Sequence, residues 1–401
     1  MNSRCMRVIL TTQGVLPLNG GLARSVPLLA KALAEQGIDV HLIAPGYGVS
    51  PSAMLLPSSP VQSHVLPQNI LRFFPNAWQG RFLSSLWRLS FMRIMRRLLT
   101  AGGPVLVHDN GIWLPCNHWA VAAAKEIKVP LIISSRGMLS QWATQHRSWR
   151  KRLAWGWYQR GDLEAAQVIH ATSPEEAADI RRLGFRQPLA IIPNGVGLPV
   201  WIERIPQKAR SKTVLFMSRI NPVKGLPLLA DAWAGLKNSA GWRVLVVGFE
   251  EDGYLRHVRE HVQKLGLDHV FEFRGPVDAD GKWEMLRQAD AFVLPSYSES
   301  FGIVVGEALA AGLPVITTHG TPWSELPARG CGWWVAPETL ALQGALTDMI
   351  NLTDDERADM GKRGRQWIES RFAWSAVSRQ MQSVYMWVLG LGPEPSCVSK
   401  T

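Results

Sequence analysis

Pro295-Ser-Tyr-Ser-Glu299-Ser-Phe301-Gly302-Ile303-Val-Val-Gly-Glu307-Ala-Leu-Ala-Ala-Gly312-Leu-Pro-Val-Ile-Thr317 carries the strongest structural signal in the chain. An apolar run enters it, a short polar loop follows, a helix opens at Gly302, and Gly312-Leu-Pro leads into a second apolar run. The order is strand, loop, helix, strand. Glu299 precedes the helix, and Glu307 lies in its second turn, eight residues on. The first backbone N–H groups of a helix lack intrahelical partners, and the dipole favours an anion there. A carboxylate can accept hydrogen bonds from two vicinal hydroxyls. The segment therefore suits a ligand carrying both phosphate and hydroxyls. Its plainer reading is one surface Glu and one helix-capping Glu.

The same alternation extends in both directions. In the second half, strands are expected at Thr213–Ser218, Arg243–Gly248, Val270–Arg274, Ala291–Pro295 and Pro314–Thr318, with helical segments between them. In the first half they are expected at Met6–Thr12, Ile38–Ala44, Pro104–His108, Pro130–Ser134 and Gln167–Ala171. Strand then helix, repeated, argues for parallel sheets with helices on both faces. Ser173-Pro-Glu-Glu176 is a helix start, with a Ser cap, Pro at the first helical position and Glu three after the cap. The period breaks after Ile191-Ile-Pro-Asn-Gly195-Val, and 198–212 reads as a linker. The expected division is a domain over 1–197, a second over 213–372, a helix over 373–390, and a disordered tail over 391–401. Ligands of such sheets bind beyond the carboxyl ends of the strands, so two facing sheets imply an interdomain cleft.

With 401 residues, 47% of them apolar and 19% charged, the chain has a globular composition and room for two cores. No run of about 18 uncharged apolar residues points to a membrane span, and the N-terminal apolar stretch is too short for a signal peptide. A cytoplasmic protein is expected. Cys5, Cys116, Cys331 and Cys397 have neither metal-like spacing nor a disulfide framework, so reduced thiols are expected.

A second ligand segment is Met217-Ser-Arg219-Ile-Asn-Pro-Val-Lys224-Gly225. A strand ends at Ser218, two cations follow five residues apart, and a helix opens at Gly225. Two cations beside a helix N-terminus form a diphosphate clamp, Arg able to bind two oxygens and Lys acting as a point charge. Two solvated loop cations are the alternative.

Arg219, Lys224 and the Glu299-x7-Glu307 spacing with Phe301-Gly302 resemble the donor-site signature of retaining glycosyltransferases of family four. Gly20-Gly21, Ile192-Pro-Asn-Gly195-Val, Phe273-Arg-Gly275, Ala289-Asp290 and Pro295-Ser296 agree, so the resemblance runs from residue 6 to about 372. Ser135-Arg136-Gly-Met-Leu139 and Trp149–Asp162 further resemble the members that build lipopolysaccharide and other surface polysaccharides. The resemblance implies an α/β, GT-B fold: two facing Rossmann-like domains, with the last helix crossing back to the first. It implies transfer of a hexose or related sugar from a nucleotide-diphosphate sugar to a saccharide or lipid-linked saccharide, with retention.

By the same resemblance, Arg219 and Lys224 bind the donor diphosphate, and Phe301, Gly302 and Ile303 offer backbone N–H groups. Glu299 meets the transferred sugar and Glu307 the ribose. Gly20 and Gly21 let the first loop come close to phosphate or acceptor, because glycine lacks a Cβ. No metal or other cofactor is expected, the two cations serving as charge sink. The sequence departs from the family's His-x-His-Gly pattern, reading His108-Asp109-Asn110-Gly111. Asn110 cannot act as a base, so either the site works without a titrating group there or His108 or Asp109 takes part; a satisfied strand-end histidine is the other reading of His108. Arg136 is read either as an acceptor or donor contact or as half of a structural salt bridge.

The net charge of +11 is uneven. Segment 78–99 mixes Arg81, Arg88, Arg93, Arg96 and Arg97 with Trp78, Phe82, Trp87 and Phe91. Segment 146–160 mixes Arg147, Arg150, Lys151, Arg152 and Arg160 with Trp149, Trp155, Trp157 and Tyr158. Such segments suit an anionic membrane surface, here the inner face of the cytoplasmic membrane. The alternative is apolar faces in the core with solvated arginines. No nucleic-acid motif accompanies the charge. Two rival functions stand: a nucleotide-sugar epimerase or hydrolase of the same fold, and a non-catalytic sugar-nucleotide-binding, membrane-associated subunit.

Overall fold

The computed structural model describes residues 6–16, 21–45, 54–57, 60–66, 79–140, 148–200, 211–250 and 253–400, with backbone alone for 79–87 and 148–150. The chain forms two compact units, one of Met1–Gly195 with Trp374–Thr401, the other of Val196–Ala373.

The first unit carries β1 (Arg7–Thr12), α1 (Gly21–Ala34), β2 (Asp39–Pro45), β3 (Gln62–Leu66), α2 (Gln79–Leu99), β4 (Val105–Asn110), α3 (Pro115–Ile127) and β5 (Leu131–Ser134). A composite helix follows: α4 (Ser148–Ala154), a π-helical turn over Trp155–Gln159, and α5 (Arg160–Glu164). Then come β6 (Val168–Ala171), α6 (Pro174–Arg182) and β7 (Leu189–Ile191). These seven strands lie parallel in the order β3-β2-β1-β4-β5-β6-β7. Alternate residues serve two cores. Val8, Leu10, Leu42, Leu106 and Ile132 face one layer with Leu29 and Leu33 of α1. Ile9, Ile43, Val107 and Ile133 face the other, with Phe91 of α2 and Trp119 of α3. Burial on both faces explains why the strands read as continuous apolar runs. β3 had no such run, because it is an edge strand with exposed Gln62 and Ser63.

The second unit carries β8 (Lys212–Met217), a 3₁₀ turn over Pro222–Lys224, α7 (Leu226–Ala234), β9 (Trp242–Val247), α8 (Tyr254–Lys264), β10 (Phe271–Arg274) and α9 (Ala279–Gln288). It continues with β11 (Ala291–Leu294), α10 (Ile303–Ala310), β12 (Val315–Thr318), β13 (Gly332–Val335), α11 (Thr339–Asn351) and α12 (Asp354–Arg371). Its six parallel strands are ordered β10-β9-β8-β11-β12-β13. In both sheets the connections run outward in opposite directions from a central pair, β1/β4 and β8/β11. That pair is the topological switch point, where doubly wound sheets hold ligands at the carboxyl edge. Gly312, at φ 74, ends the turn between α10 and β12. A Cβ on Gly361 of α12 would lie 1.9 Å from the Gly312 carbonyl oxygen, so the two elements meet through glycine.

The chain then returns to the first unit. α13 (Trp374–Val388) buries Val377, Met381, Val384 and Tyr385 in the core shared with α1. The expectation of a disordered tail is overturned: β14 (Val398–Ser399) pairs antiparallel with β7, and the Ile191 N–H donates to the Cys397 carbonyl at 2.9 Å. β7 would otherwise expose unpaired backbone groups at the sheet edge, and the tail satisfies them. Pro395 begins the turn into that strand, its carbonyl accepting from the Val398 N–H at 3.1 Å. Of the expected linker, 201–210 lies outside the described residues.

Candidate active site

The two segments expected to bind the donor lie at the switch point of the second sheet, Arg219 and Lys224 after β8 and Glu299 after β11. The backbone joins them: the Val223 carbonyl accepts from the Tyr297 N–H at 2.8 Å and from Ser296 Oγ at 3.0 Å. Gly225 makes that approach possible, since a Cβ there would lie 2.1 Å from the Pro295 carbonyl oxygen and φ is 68°. Across the seam Lys224 Nζ donates to Glu299 Oε1 at 2.5 Å, their side chains 7% and 16% exposed. Arg219 is half-buried just past β8. Gly302, at φ 72, precedes α10, whose opening residue is Ile303. Phe301 is buried against Trp323 and Phe372, and its carbonyl accepts from Trp323 Nε1 at 2.6 Å, which fixes the loop that leads into α10.

The first unit's sheet ends in a different set. Asn110 is fully buried; its Oδ1 accepts from Arg136 Nη2 at 2.6 Å and Nε at 3.2 Å. Arg136 Nη1 donates to Asn194 Oδ1 at 2.5 Å. The guanidinium thus hydrogen-bonds two neutral amides rather than the carboxylate of the salt-bridge reading, and burial pulls its pKa down to about 10. It remains charged at neutral pH.

His108 is fully buried, Nδ1 2.7 Å from the Tyr385 hydroxyl and Nε2 2.7 Å from Ser134 Oγ. Ser134 Oγ continues to His170, whose Nε2 lies 2.8 Å from the Ile192 carbonyl. Burial holds the His108 pKa well below its usual value, with His170 and Arg136 adding to the effect. With both nitrogens engaged and no surface exposed, His108 is a satisfied strand-end histidine tying β4 to α13 rather than a catalytic group. Asp109 is also enclosed, bonded to Thr11 and Asn117, and burial raises its pKa to about 7. Gly21 opens α1 and is exposed, whereas Gly20 lies outside the described residues.

Residues 20–195 match the family described as "Glycosyl transferase 4-like domain", and 200–367 match "Glycosyl transferases group 1". The chain belongs to the glycosyltransferases. A glycogen synthase of Mycobacterium tuberculosis is 26% identical over 95% of this chain and 94% of its own length. Among solved structures, sucrose-phosphate synthase from Thermosynechococcus elongatus superposes with TM-score 0.75 at 23% identity, covering 96% of this chain and 99% of that one. HepE of Anabaena, solved with UDP-glucose, gives 0.70 at 17% over 94% and 99%. WaaG, a glycosyltransferase involved in lipopolysaccharide biosynthesis, gives 0.63 at 17% over 96% and 100%. At these identities the structures establish the two-domain α/β GT-B fold.

Three features of this glycosyltransferase escaped the motif reading. Lys282 of α9 forms an ion pair with Glu307 of α10, both side chains 12% exposed. Glu176 of α6 accepts four hydrogen bonds from the loops that follow β5 and β6. Trp113, a bulky residue at φ 83, sits between β4 and α3. Only the Glu176 position had a sequence signal, its place in the helix cap.

The basic segments divide. On α2 the apolar residues Phe91, Met95 and Leu98 lie in the core, and Arg96 pairs with Glu126. Over the described side chains 88–99 the helix therefore follows the plainer alternative, an apolar face in the core with its arginines exposed on the other side. Trp78 lies outside the described residues, as do the side chains of Arg81, Phe82 and Trp87. In 146–160, Leu153 is 66% and Trp157 88% exposed, one helical turn apart, near exposed Arg152 and Arg160. Arg147 and the side chains of Trp149 and Arg150 lie outside the described residues.

Proposed function

We propose that this glycosyltransferase moves a hexose or related sugar from a nucleotide-diphosphate sugar to a saccharide or lipid-linked saccharide, with retention, during lipopolysaccharide or other surface-polysaccharide synthesis. The observation that carries the reading is the Lys224–Glu299 pair at the switch point of the second sheet, beside the Gly302 helix terminus. Lys224, Arg219 and the N–H groups around Gly302 and Ile303 stabilise the departing diphosphate electrostatically, without a metal. Glu299 takes hydroxyls of the transferred sugar, and Glu307, steadied by Lys282, takes the ribose. A leaving phosphate oxygen accepts the acceptor's proton on the same face, consistent with Asn110 lacking a titrating group. The UDP-glucose bound by HepE supports the donor class, and the role of WaaG supports the pathway.

A thermal-shift screen of UDP-, ADP-, GDP- and dTDP-sugars tests the donor. A ligand at a hundred times its Kd adds about 2.7 kcal/mol, a shift of several degrees. No shift with any of them would sink the reading, and release of free sugar or an epimer without acceptor would favour the rival enzymes. Proton NMR of the glycoside product then reads the anomeric configuration; an inverted product removes retention.

We further propose that the enzyme works at the inner face of the cytoplasmic membrane, docking through Leu153, Trp157 and the neighbouring cations. No helix among the described residues is long and apolar enough to cross a membrane. Trp157→Ala with Leu153→Ala should lower flotation with vesicles containing phosphatidylglycerol about tenfold, matching the loss of two interfacial apolar side chains. Equal flotation of variant and parent would refute the docking face.

A further inference from the structure

His118 lies in the first turn of α3, which follows β4 at the switch point of the first sheet. Its Nδ1 is 2.9 and 3.0 Å from the two carboxylate oxygens of Asp162 on α5. Asp162 is 7% exposed and His118 45%. A carboxylate against Nδ1 holds the proton on that nitrogen and leaves the lone pair on Nε2. The half-exposed imidazole is thus an oriented hydrogen-bond acceptor, and the donor machinery does not use it.

Tyr158 links it to an aromatic cluster. Tyr158 lies 5.1 Å from the His118 ring, centroid to centroid, and Trp113 lies 6.0 Å from Trp155. Trp113 holds a left-handed backbone that a bulky residue adopts only when its surroundings impose it. Here they do: the Trp113 N–H donates to Gln159 Oε1 at 2.7 Å, and its carbonyl accepts from the Tyr158 hydroxyl at 2.7 Å. Both partners are consecutive residues of the π-helical turn, an interruption that recurs at functional positions. Lys151 Nζ stands 5.7 Å from the Trp113 ring centre.

We infer that this cluster is the acceptor-saccharide subsite. Half-buried Trp113 and Tyr158 offer their rings to the apolar C–H face of a pyranose. His118 Nε2 accepts a hydrogen bond from one of its hydroxyls, and Asp162 is the positioning residue. An oriented acceptor backed by a carboxylate favours a hydroxyl donor over an anion. A lipid chain needs no such acceptor, and the exposed Leu153 and Trp157 belong to a separate proposal. The inference rests on the acceptor being a saccharide, as proposed above.

The test uses the full-length enzyme on a glycan array of bacterial surface oligosaccharides, with the nucleotide-sugar thermal shift measured in parallel. His118→Ala is expected to weaken glycan binding at least tenfold. His118→Gln, whose amide oxygen falls near Nε2, should restore most of it, while His118→Asn should not. Asp162→Asn should weaken binding with His118 intact. Nucleotide-sugar shifts should match the parent in every variant. Glycan binding by His118→Ala within twofold of the parent overturns the subsite, as does equal rescue by Asn and Gln, or a parent that binds no glycan while its nucleotide-sugar shift is intact. Loss of the nucleotide-sugar shift in the parent, with glycan binding retained and sensitive to His118, instead overturns the donor reading and leaves the subsite supported.

Discussion

Lys224→Ala is expected to lower kcat/KM for the nucleotide sugar about a hundred- to a thousandfold, the usual effect of deleting one preorganised charge-stabilising donor. Two losses combine. The departing diphosphate loses a compact point charge, and Glu299 loses the partner that fixes its carboxylate at 2.5 Å. Removing one half of a fully buried pair costs about 3–5 kcal/mol. Glu299 is 16% exposed and open to water, so a smaller stability loss, about 1–2 kcal/mol, is expected. That separates the variant from an unfolded one: its melting temperature falls only a few degrees while turnover collapses. Lys224→Arg should not restore activity, because the planar fork does not fit where a compact ammonium meets one carboxylate oxygen. Steady-state kinetics with thermal melts decide. Turnover within threefold of the parent would remove Lys224 from the diphosphate site.

The two candidate donor segments were legible because each is local. Arg219 and Lys224 share one loop, Glu299 and Glu307 one loop and helix, and both loops follow strands whose apolar runs mark them. The fold class was legible for the same reason, since both sheets are covered on their two faces. What escaped the sequence depends on contacts between distant segments. Lys282 meets Glu307 from a neighbouring helix, with no fixed spacing to announce it. The left-handed Trp113 and Arg136 carry none of the glycine or asparagine signals that normally mark positive φ. On α2 the periodicity identified an apolar face but could not say whether core or lipid covered it; for its described side chains, Phe91 against Trp119 places that face in the core. The tail was misread because Gly392, Pro393 and Pro395 resemble a disordered end, while a two-residue pairing with β7 is too short to leave a pattern.

Glu176→Ala is expected to be the most destabilising single change in the first unit. The carboxylate is 5% exposed and accepts four hydrogen bonds. Oε1 takes Ser135 Oγ at 2.6 Å and the Gly137 N–H at 2.5 Å; Oε2 takes the Thr172 N–H at 2.7 Å and its Oγ1 at 2.6 Å. One side chain thus joins the ends of β5 and β6, with Arg136 held between Ser135 and Gly137 in a left-handed conformation. Each buried donor left without a partner costs about 1–3 kcal/mol, and partial relaxation towards water reduces the total to about 3–5 kcal/mol. For a domain of this size that lowers the melting temperature by roughly 6–20 °C. Glu176→Gln should recover only part of the loss, because an amide NH2 would face one pair of donors whichever way it turns. The effect should be directional as well as large. Freed from Glu176, the Ser135–Gly137 turn no longer fixes the guanidinium against Asn110 and Asn194, whereas Lys224 and Glu299 belong to the other unit and keep their geometry. Below its melting temperature the variant should therefore still give a nucleotide-sugar thermal shift while glycosyl transfer falls. A melting temperature within about 2 °C of the parent would mean that water replaces the carboxylate, and the loop does not depend on it.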